Sequence, residues 1–374
     1  MSDFFCPLPW IHQFIQTTGV KMCCVSNKEL AVSPVEFANS DYIKDVRQTI
    51  LDGKIPSSGC QHCVSTEAKG FASVRQYALK DFDFNKENIK AEIKYLDLRH
   101  SNLCNYSCRS CSPQFSTAIT HELNNNPMLR KYYSIPSTPI YSNIVESLTP
   151  FRDSLTRINF TGGEPLLIKD NLLVLKWLIS EGRTDVELLI TTNCSTINPK
   201  ILSLISQFDS VHWTLSIDGV GKIGEYIRNG SDWDTVVKNL EQIISLKQSI
   251  LINTTVSGYC ALDLLNLCSW FEQLKLTHTM QPLELMFSIL RDPTAMEVTS
   301  LPMELMPRVK ENLEKSITLM QDILSNPTEQ VNNLQNLLIL VNKLETTPST
   351  IFWEFTNDFD QVRGQNFKKT FNIL

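Results

Sequence analysis

Residues 94–111 read KYLDLRHSNLCNYSCRSC. Alternating apolar and polar residues over 94–99 predict a short strand. The strand runs into a loop that carries Cys104, Cys108 and Cys111 in C-x3-C-x2-C spacing. Five further strand patterns follow at 157–161, 186–192, 211–217, 250–256 and 283–290, with helical patterns at 171–179, 199–208, 233–246 and 262–274 between them. Strands alternating with helices of this length predict βαβ units and a parallel sheet. Six such units predict an α/β fold, an open or partial (β/α)6 TIM-like barrel, whose sites collect at the C-terminal strand ends. The cysteine loop occupies one of those ends.

On the N-terminal side, residues 14–22 read as strand, Thr17-Thr18-Gly19 turn and strand, ending at Cys23 and Cys24. A helical pattern over 35–51 leads to Cys60-x-x-Cys63, and 64–90 is a mixed polar bridge. Beyond Pro293, amphipathic helices are predicted at 302–324 and 328–344, then a tail rich in aromatics: Phe352, Trp353, Phe355, Phe359, Phe367 and Phe371. The expected domains are a cysteine module with its bridge at 1–90, the barrel at 91–292, and a helical cap with tail at 293–374. Residues 112–150 and the C-terminal helices are expected to shape the pocket above the barrel mouth.

Of the 374 residues, 42% are hydrophobic and 20% charged, which excludes disorder as the main state. The net charge of -6 argues against a nucleic-acid partner, which needs a basic surface. No stretch of about 18 uncharged apolar residues occurs, so no membrane span is expected. The first residues lack the basic start and apolar core of an export signal, so a reducing, cytoplasmic setting is expected. There the eleven cysteines stay unpaired, and clustered ones read as metal ligands.

Three thiolates in one short loop suit three irons of a [4Fe–4S] cube and leave the fourth iron open to a ligand. A zinc site completed by His100 or His121 is the competing reading. A second motif, Gly162-Gly163-Glu164-Pro165, ends the strand at 157–161. Thr191-Thr192-Asn193 and Ser216-Ile217-Asp218-Gly219 end the next two.

Together these strand ends resemble the radical S-adenosylmethionine (SAM) enzymes over roughly residues 94–290. The resemblance implies that the open iron chelates SAM, and that an electron splits its sulfonium bond to give methionine and a 5′-deoxyadenosyl radical. It implies SAM contacts at Gly162, Gly163, Glu164, Thr192, Asn193, Ser216, Asp218 and Arg228, with Thr254 on the fifth strand a weaker candidate. Glu164 would accept from the methionine ammonium, and Arg228 would face the carboxylate. Ser110 stands where many members carry an aromatic residue beside the adenine, so that contact is not carried over.

Cys6, Cys24, Cys60 and Cys63 form a further four-thiolate set, with Cys23 as a substitute for Cys24. The C-x12-G-x4-C spacing through Gly19 resembles the twitch or SPASM modules that hold an auxiliary [4Fe–4S] cluster, although here it precedes the barrel. A four-cysteine zinc site is the alternative. Cys260, just past the fifth strand, is a candidate catalytic thiol, against the plainer reading of a buried one. The expected protein is an oxidoreductase-like enzyme that abstracts hydrogen from a small-molecule or peptide substrate. It would take electrons from an external flavodoxin or ferredoxin. The alternatives are a ribosomal-peptide-modifying enzyme and a non-catalytic zinc or iron–sulfur interaction protein.

Overall fold

A computed structural model describes residues 4–82, 84–85, 88–134, 143–325 and 327–373. Part of the expected pocket-shaping stretch, 135–142, lies outside the described residues. Among the described residues there are eight strands: β1 (His12–Gln16), β2 (Val20–Lys21), β3 (Tyr95–Arg99), β4 (Arg157–Phe160), β5 (Glu187–Thr192), β6 (Val211–Ser216), β7 (Ser249–Val256) and β8 (Leu283–Ile289). Their order is β2-β1-β3-β4-β5-β6-β7-β8, an open sheet with β2 and β8 as its outermost strands. The β1/β3, β3/β4, β4/β5, β6/β7 and β7/β8 pairs are parallel, and only β1/β2 runs antiparallel among the paired strands described. The six expected strands form β3 to β8, with ends shifted by a residue. The N-terminal hairpin adds the other two, because β1 pairs in parallel with β3 from His12↔Tyr95 to Gln16↔Arg99.

The chain divides into two compact units, Met1–Asn102, Ser137–Ile190 and Asn198–Val211 in the first, and Leu103–Pro136, Thr191–Ile197 and His212–Leu374 in the second. In the first unit, Leu96, Leu98, Ile158, Phe160 and Leu188 point to a fully buried side of the sheet. Their neighbours Tyr95, Arg99, Arg157, Asn159 and Glu187 are only partly buried. The second unit repeats the alternation. Trp213, Leu215, Ile250, Ile252, Leu283 and Leu285 are buried, and Thr214, Ser216, Asn253, Thr255, Glu284 and Ser288 are half-exposed. Parallel sheets are normally apolar on both faces. Here the second face is mixed, with half-buried Leu189, Leu251 and Met286 among its polar residues and Asp97 buried on it.

Two expectations change in the first unit. The helix expected over 35–51 is two helices, Pro34–Asn39 and Asp41–Leu51, because Ser40 leaves the helical region and caps the second through Ile43 N–H. The bridge at 64–90 contains two helices, Gln61–Ala68 and Val74–Asp81, the second closed by a Ser73/Gln76 capping box. These helices pack on a core of Phe5, Trp10, Val20, Met22, Phe37, Ile43 and Ile50. Phe5 stacks between Trp10 at 5.7 Å and Phe84 at 4.7 Å. In the second unit, the aromatic tail is helical at Ser349–Arg363 and Phe367–Thr370, with Phe352, Phe355, Phe359, Phe367 and Phe371 all buried. Among the described residues no helix is long and apolar enough to cross a membrane.

Gly19 shows why the hairpin motif needs glycine. Val20 N–H donates to Leu30 O at 2.9 Å and Leu30 N–H returns to Val20 O at 3.0 Å. A Cβ on Gly19 would stand 2.3 Å from that Leu30 oxygen. We predict that Gly19→Ala lowers stability by about 1–3 kcal/mol through overpacking. Equilibrium denaturation checks this, and a change below about 0.5 kcal/mol, ordinary for a surface substitution, contradicts it.

Candidate active site

The cysteine loop belongs to the second unit and is held on several sides. Ser107 N–H donates to Asn229 O and Arg109 N–H to Ile227 O, both at 2.9 Å, so the loop pairs with the backbone on either side of Arg228. Cys104 N–H donates to Thr117 Oγ1 at 3.2 Å, and Ser116 Oγ donates to Tyr106 O at 2.7 Å. Gly230, at φ 95°, lets the chain pass close to Asn105, whose carbonyl oxygen would lie 3.3 Å from an added Cβ. The three cysteines are half-buried residues, while Tyr106 and Arg109 are buried.

Two donors point at the sulfurs. Asn193 Nδ2 lies 3.8 Å from Cys104 Sγ and donates to Asn105 Oδ1 at 3.2 Å. Arg228 Nη1 lies 3.9 Å from Cys108 Sγ, and its Nε forms an ion pair with Asp218 at 2.9 Å. Asp218 is buried, and its other carboxylate oxygen accepts from Thr255 N–H at 2.8 Å. Burial pushes the Cys108 thiol up to about 12, with the Arg228 guanidinium pulling the other way. Donors and a cation beside the sulfurs suit thiolates that share negative charge with a metal cluster. Among the described residues, no three His, Cys, Asp or Glu side chains form a ready-made metal-ligand group.

The remaining expected SAM contacts divide between exposed and structural positions. Thr192 is buried, and its hydroxyl accepts from Cys194 N–H at 3.1 Å. Ser216 is half-exposed on the polar sheet face. Thr254 is fully buried on the covered face, where its hydroxyl donates to Ile217 O at 2.8 Å. Its neighbours Asn253 and Thr255 occupy the polar face, and Asn253 Oδ1 accepts from Ser288 Oγ at 2.9 Å. Cys260 is 2% exposed within the helical turn Gly258–Ala261, where burial holds its thiol far above the usual range. Cys194 and Cys268 are buried.

The Gly162-Gly163-Glu164-Pro165 turn belongs to the first unit. Gly162 has φ 107°, and a Cβ there would meet Ser101 O at 2.7 Å, so both conformation and space demand glycine. Gly163 N–H donates to the same oxygen at 3.2 Å. Glu164 is fully buried and accepts from Leu166 N–H at 3.1 Å. Beneath the turn, Thr161 Oγ1 donates to Asp97 at 2.7 Å. Of the histidines considered for zinc, His121 is exposed beside Asn125. His100 is buried with its ring pushed down to about 4 by desolvation.

The N-terminal thiols, also in the first unit, fall on two sides. Cys6, Cys23, Cys60 and Cys63 line one pocket with Phe4, Leu8, Met22, Val74 and Arg75. Cys24 lines an adjoining pocket with His12, Tyr95 and Asp97, to which Cys23 also contributes. Burial pushes the Cys6 and Cys60 thiols up to about 12. Nothing in the spacing of Cys23 and Cys24 distinguishes them, since successive residues simply face opposite ways.

The Asp218–Arg228 pair gives a direct test. Asp218→Ala strands a buried guanidinium, and removing one partner of such a pair costs about 3–5 kcal/mol. Asp218→Asn, which keeps a polar group on Thr255 N–H, is expected to cost less. Chemical denaturation of the metal-free protein measures both, and equal effects would contradict the charge argument.

The chain is similar in part to known proteins. Residues 98–259 match the family model described as the radical SAM superfamily. A radical SAM cyclopropyl synthase, TigE of Paramaledivibacter caminithermalis, is 26% identical over 181 residues, covering 46% of this chain and 37% of that protein. A GTP 3',8-cyclase of Campylobacter jejuni subsp. doylei is 23% identical over 164 residues, covering 44% and 47%. The chain thus spans less than half the length of these curated relatives. Among solved structures, anSMEcpe with bound AdoMet is 19% identical at TM-score 0.43, covering 61% of this chain and 60% of that one. Streptococcus suis SuiB bound to S-adenosylmethionine is 12% identical at TM-score 0.35, covering 79% and 53%. The stretch from the end of β3 to the turn after β7 is a radical SAM superfamily domain.

Proposed function

We propose that the chain is a radical SAM enzyme that abstracts hydrogen from a polar small-molecule or peptide substrate, with an auxiliary [4Fe–4S] cluster in its N-terminal part completing an oxidation or rearrangement. The observation that carries the reading is the second unit's three-thiol loop with Asn193 and Arg228 donors directed at Cys104 and Cys108. When bound, the cluster and SAM supply a one-electron cleavage that generates a 5′-deoxyadenosyl radical. Cys104, Cys108 and Cys111 would hold the cluster. Arg228, its charge fixed by Asp218, would hold an anionic group beside Cys108. Asn193 and Ser216 would hold SAM through polar atoms at strand ends. A reducing compartment and an electron donor of the flavodoxin or ferredoxin kind belong to the same proposal.

For the auxiliary set, the pocket shared by Cys6, Cys23, Cys60 and Cys63 supports Cys23 as the fourth ligand in place of Cys24. Four thiolates suit a fully ligated cluster used for electron transfer.

Anaerobically reconstituted protein should hold about eight irons per chain, and about four after Cys104, Cys108 and Cys111 are all changed to Ala. In that background Cys23→Ser should remove the remaining cluster's absorbance and Cys24→Ser should leave it. Zinc in place of iron would reject the auxiliary reading. With SAM and reductant, the unmodified protein should release methionine and 5′-deoxyadenosine. Loss of that product with clusters intact would reject the enzyme reading.

A further inference from the structure

We propose that the C-terminal helix Ser349–Arg363 is a clamp that positions the cysteine loop, with Arg109 and Asp360 as its central positioning residues. The inference rests on the reading of that loop as the cluster carrier. Arg109 lies between Cys108 and Cys111 in sequence, yet its side chain is 0% exposed, whereas the three cysteines are only half-buried. Its Nη2 donates to Asp360 Oδ1 at 2.5 Å and to Gln365 Oε1 at 2.7 Å, and its Nε donates to Tyr226 O at 3.2 Å. The guanidinium carbon lies 3.9 Å from the centre of the Tyr226 ring, a close cation–π contact.

Asp360 is shared by several groups. Its Oδ1 also accepts from Tyr226 O–H at 2.7 Å, and its Oδ2 accepts from Phe367 N–H at 2.6 Å. Two side chains near the helix end extend the grip. Arg363 donates to Ser107 O at 2.8 Å and is held by both oxygens of Glu122. Beyond the Gly364 cap, at φ 62°, Gln365 Nε2 donates to Asn229 Oδ1 at 3.1 Å, while Asn229 Nδ2 donates to Ser107 Oγ at 2.8 Å. The loop is thus fixed at Ser107 and Arg109, the residues flanking Cys108. Arginine cannot shed its charge on burial, so its carboxylate partner sets where this part of the loop must lie. Holding ligand-bearing backbone rigidly is how a protein fixes the geometry of a metal site.

The full chain serves for the test, with Asp360→Asn, the neutral double variant Arg109→Met/Asp360→Leu, and Glu354→Gln as a control on the same helix. Glu354 pairs with Lys131 on the exposed side, outside the loop. In metal-free protein, the Ser107 and Arg109 amides should exchange about tenfold faster in Asp360→Asn and in the double variant, and unchanged in the control. In the loaded protein, both should lose the change that SAM produces in the electron paramagnetic resonance spectrum of the reduced loop cluster. A structural role alone would let the double variant recover both signals, because replacing a buried ion pair by apolar groups restores stability. That recovery, or wild-type exchange in Asp360→Asn, overturns the proposal. If neither variant folds, the pair serves the fold at large and the proposal is likewise overturned. Failure of the underlying reading looks different: the variant lacking all three loop cysteines would then bind as much iron as the unmodified chain.

Discussion

A guanidinium buried within a short three-cysteine loop constrains everything around it. Arg109 cannot become neutral, so the carboxylate of Asp360, the carbonyl of Tyr226 and the amide of Gln365 must converge on it. In meeting that demand, the second unit acquires its order. The Tyr226 ring stacks under the charge, the aromatic tail packs around Tyr226 and Tyr259, and the helix at Ser349–Arg363 is drawn to the loop. A polar demand at one residue thereby organises an apolar cluster of rings. A second buried pair, Asp218 with Arg228, works on the thiol side of the same loop. One pair fixes backbone and the other presents charge to sulfur.

In the first unit the corresponding constraint is close approach of backbone. Gly19 and Gly162 are each required because a carbonyl oxygen, Leu30 O or Ser101 O, occupies the space of a side chain. Gly19 lets residues 29–30 close over the hairpin that delivers Cys23 and Cys24. Gly162 seats its turn against the chain that follows β3. Glycine in such a motif reads naturally as making room for a ligand. Here the neighbouring carbonyl oxygens account for both.

What was legible in the sequence was local. Period-two alternation over short windows revealed all six strands from β3 to β8, and the cysteine and Gly-Gly-Glu-Pro motifs marked strand ends. Features that depend on remote partners were not legible. The hairpin strand β1 could be read as a strand, but its pairing with β3 spans the whole N-terminal segment. Thr254 reads as a candidate from its strand alone, but the register turns it to the covered face and leaves Asn253 and Thr255 on the other. Ser40 interrupts a helical pattern that hydrophobic spacing alone carries through, because capping acts through side-chain oxygen and not through periodicity.

By itself, the sequence determined the chemistry available: three thiols on one loop, five more in the N-terminal part, and polar residues at successive strand ends. Short-range spacing suffices for that, since loop length and strand period set which groups can act together. Only the tertiary structure decided which groups do so. Arg109 meets Asp360 across 251 positions, a separation at which no local pattern carries information. Cys23 joins Cys6, Cys60 and Cys63, and Cys24 turns toward Asp97, because neighbouring residues face opposite ways and packing alone chooses the side.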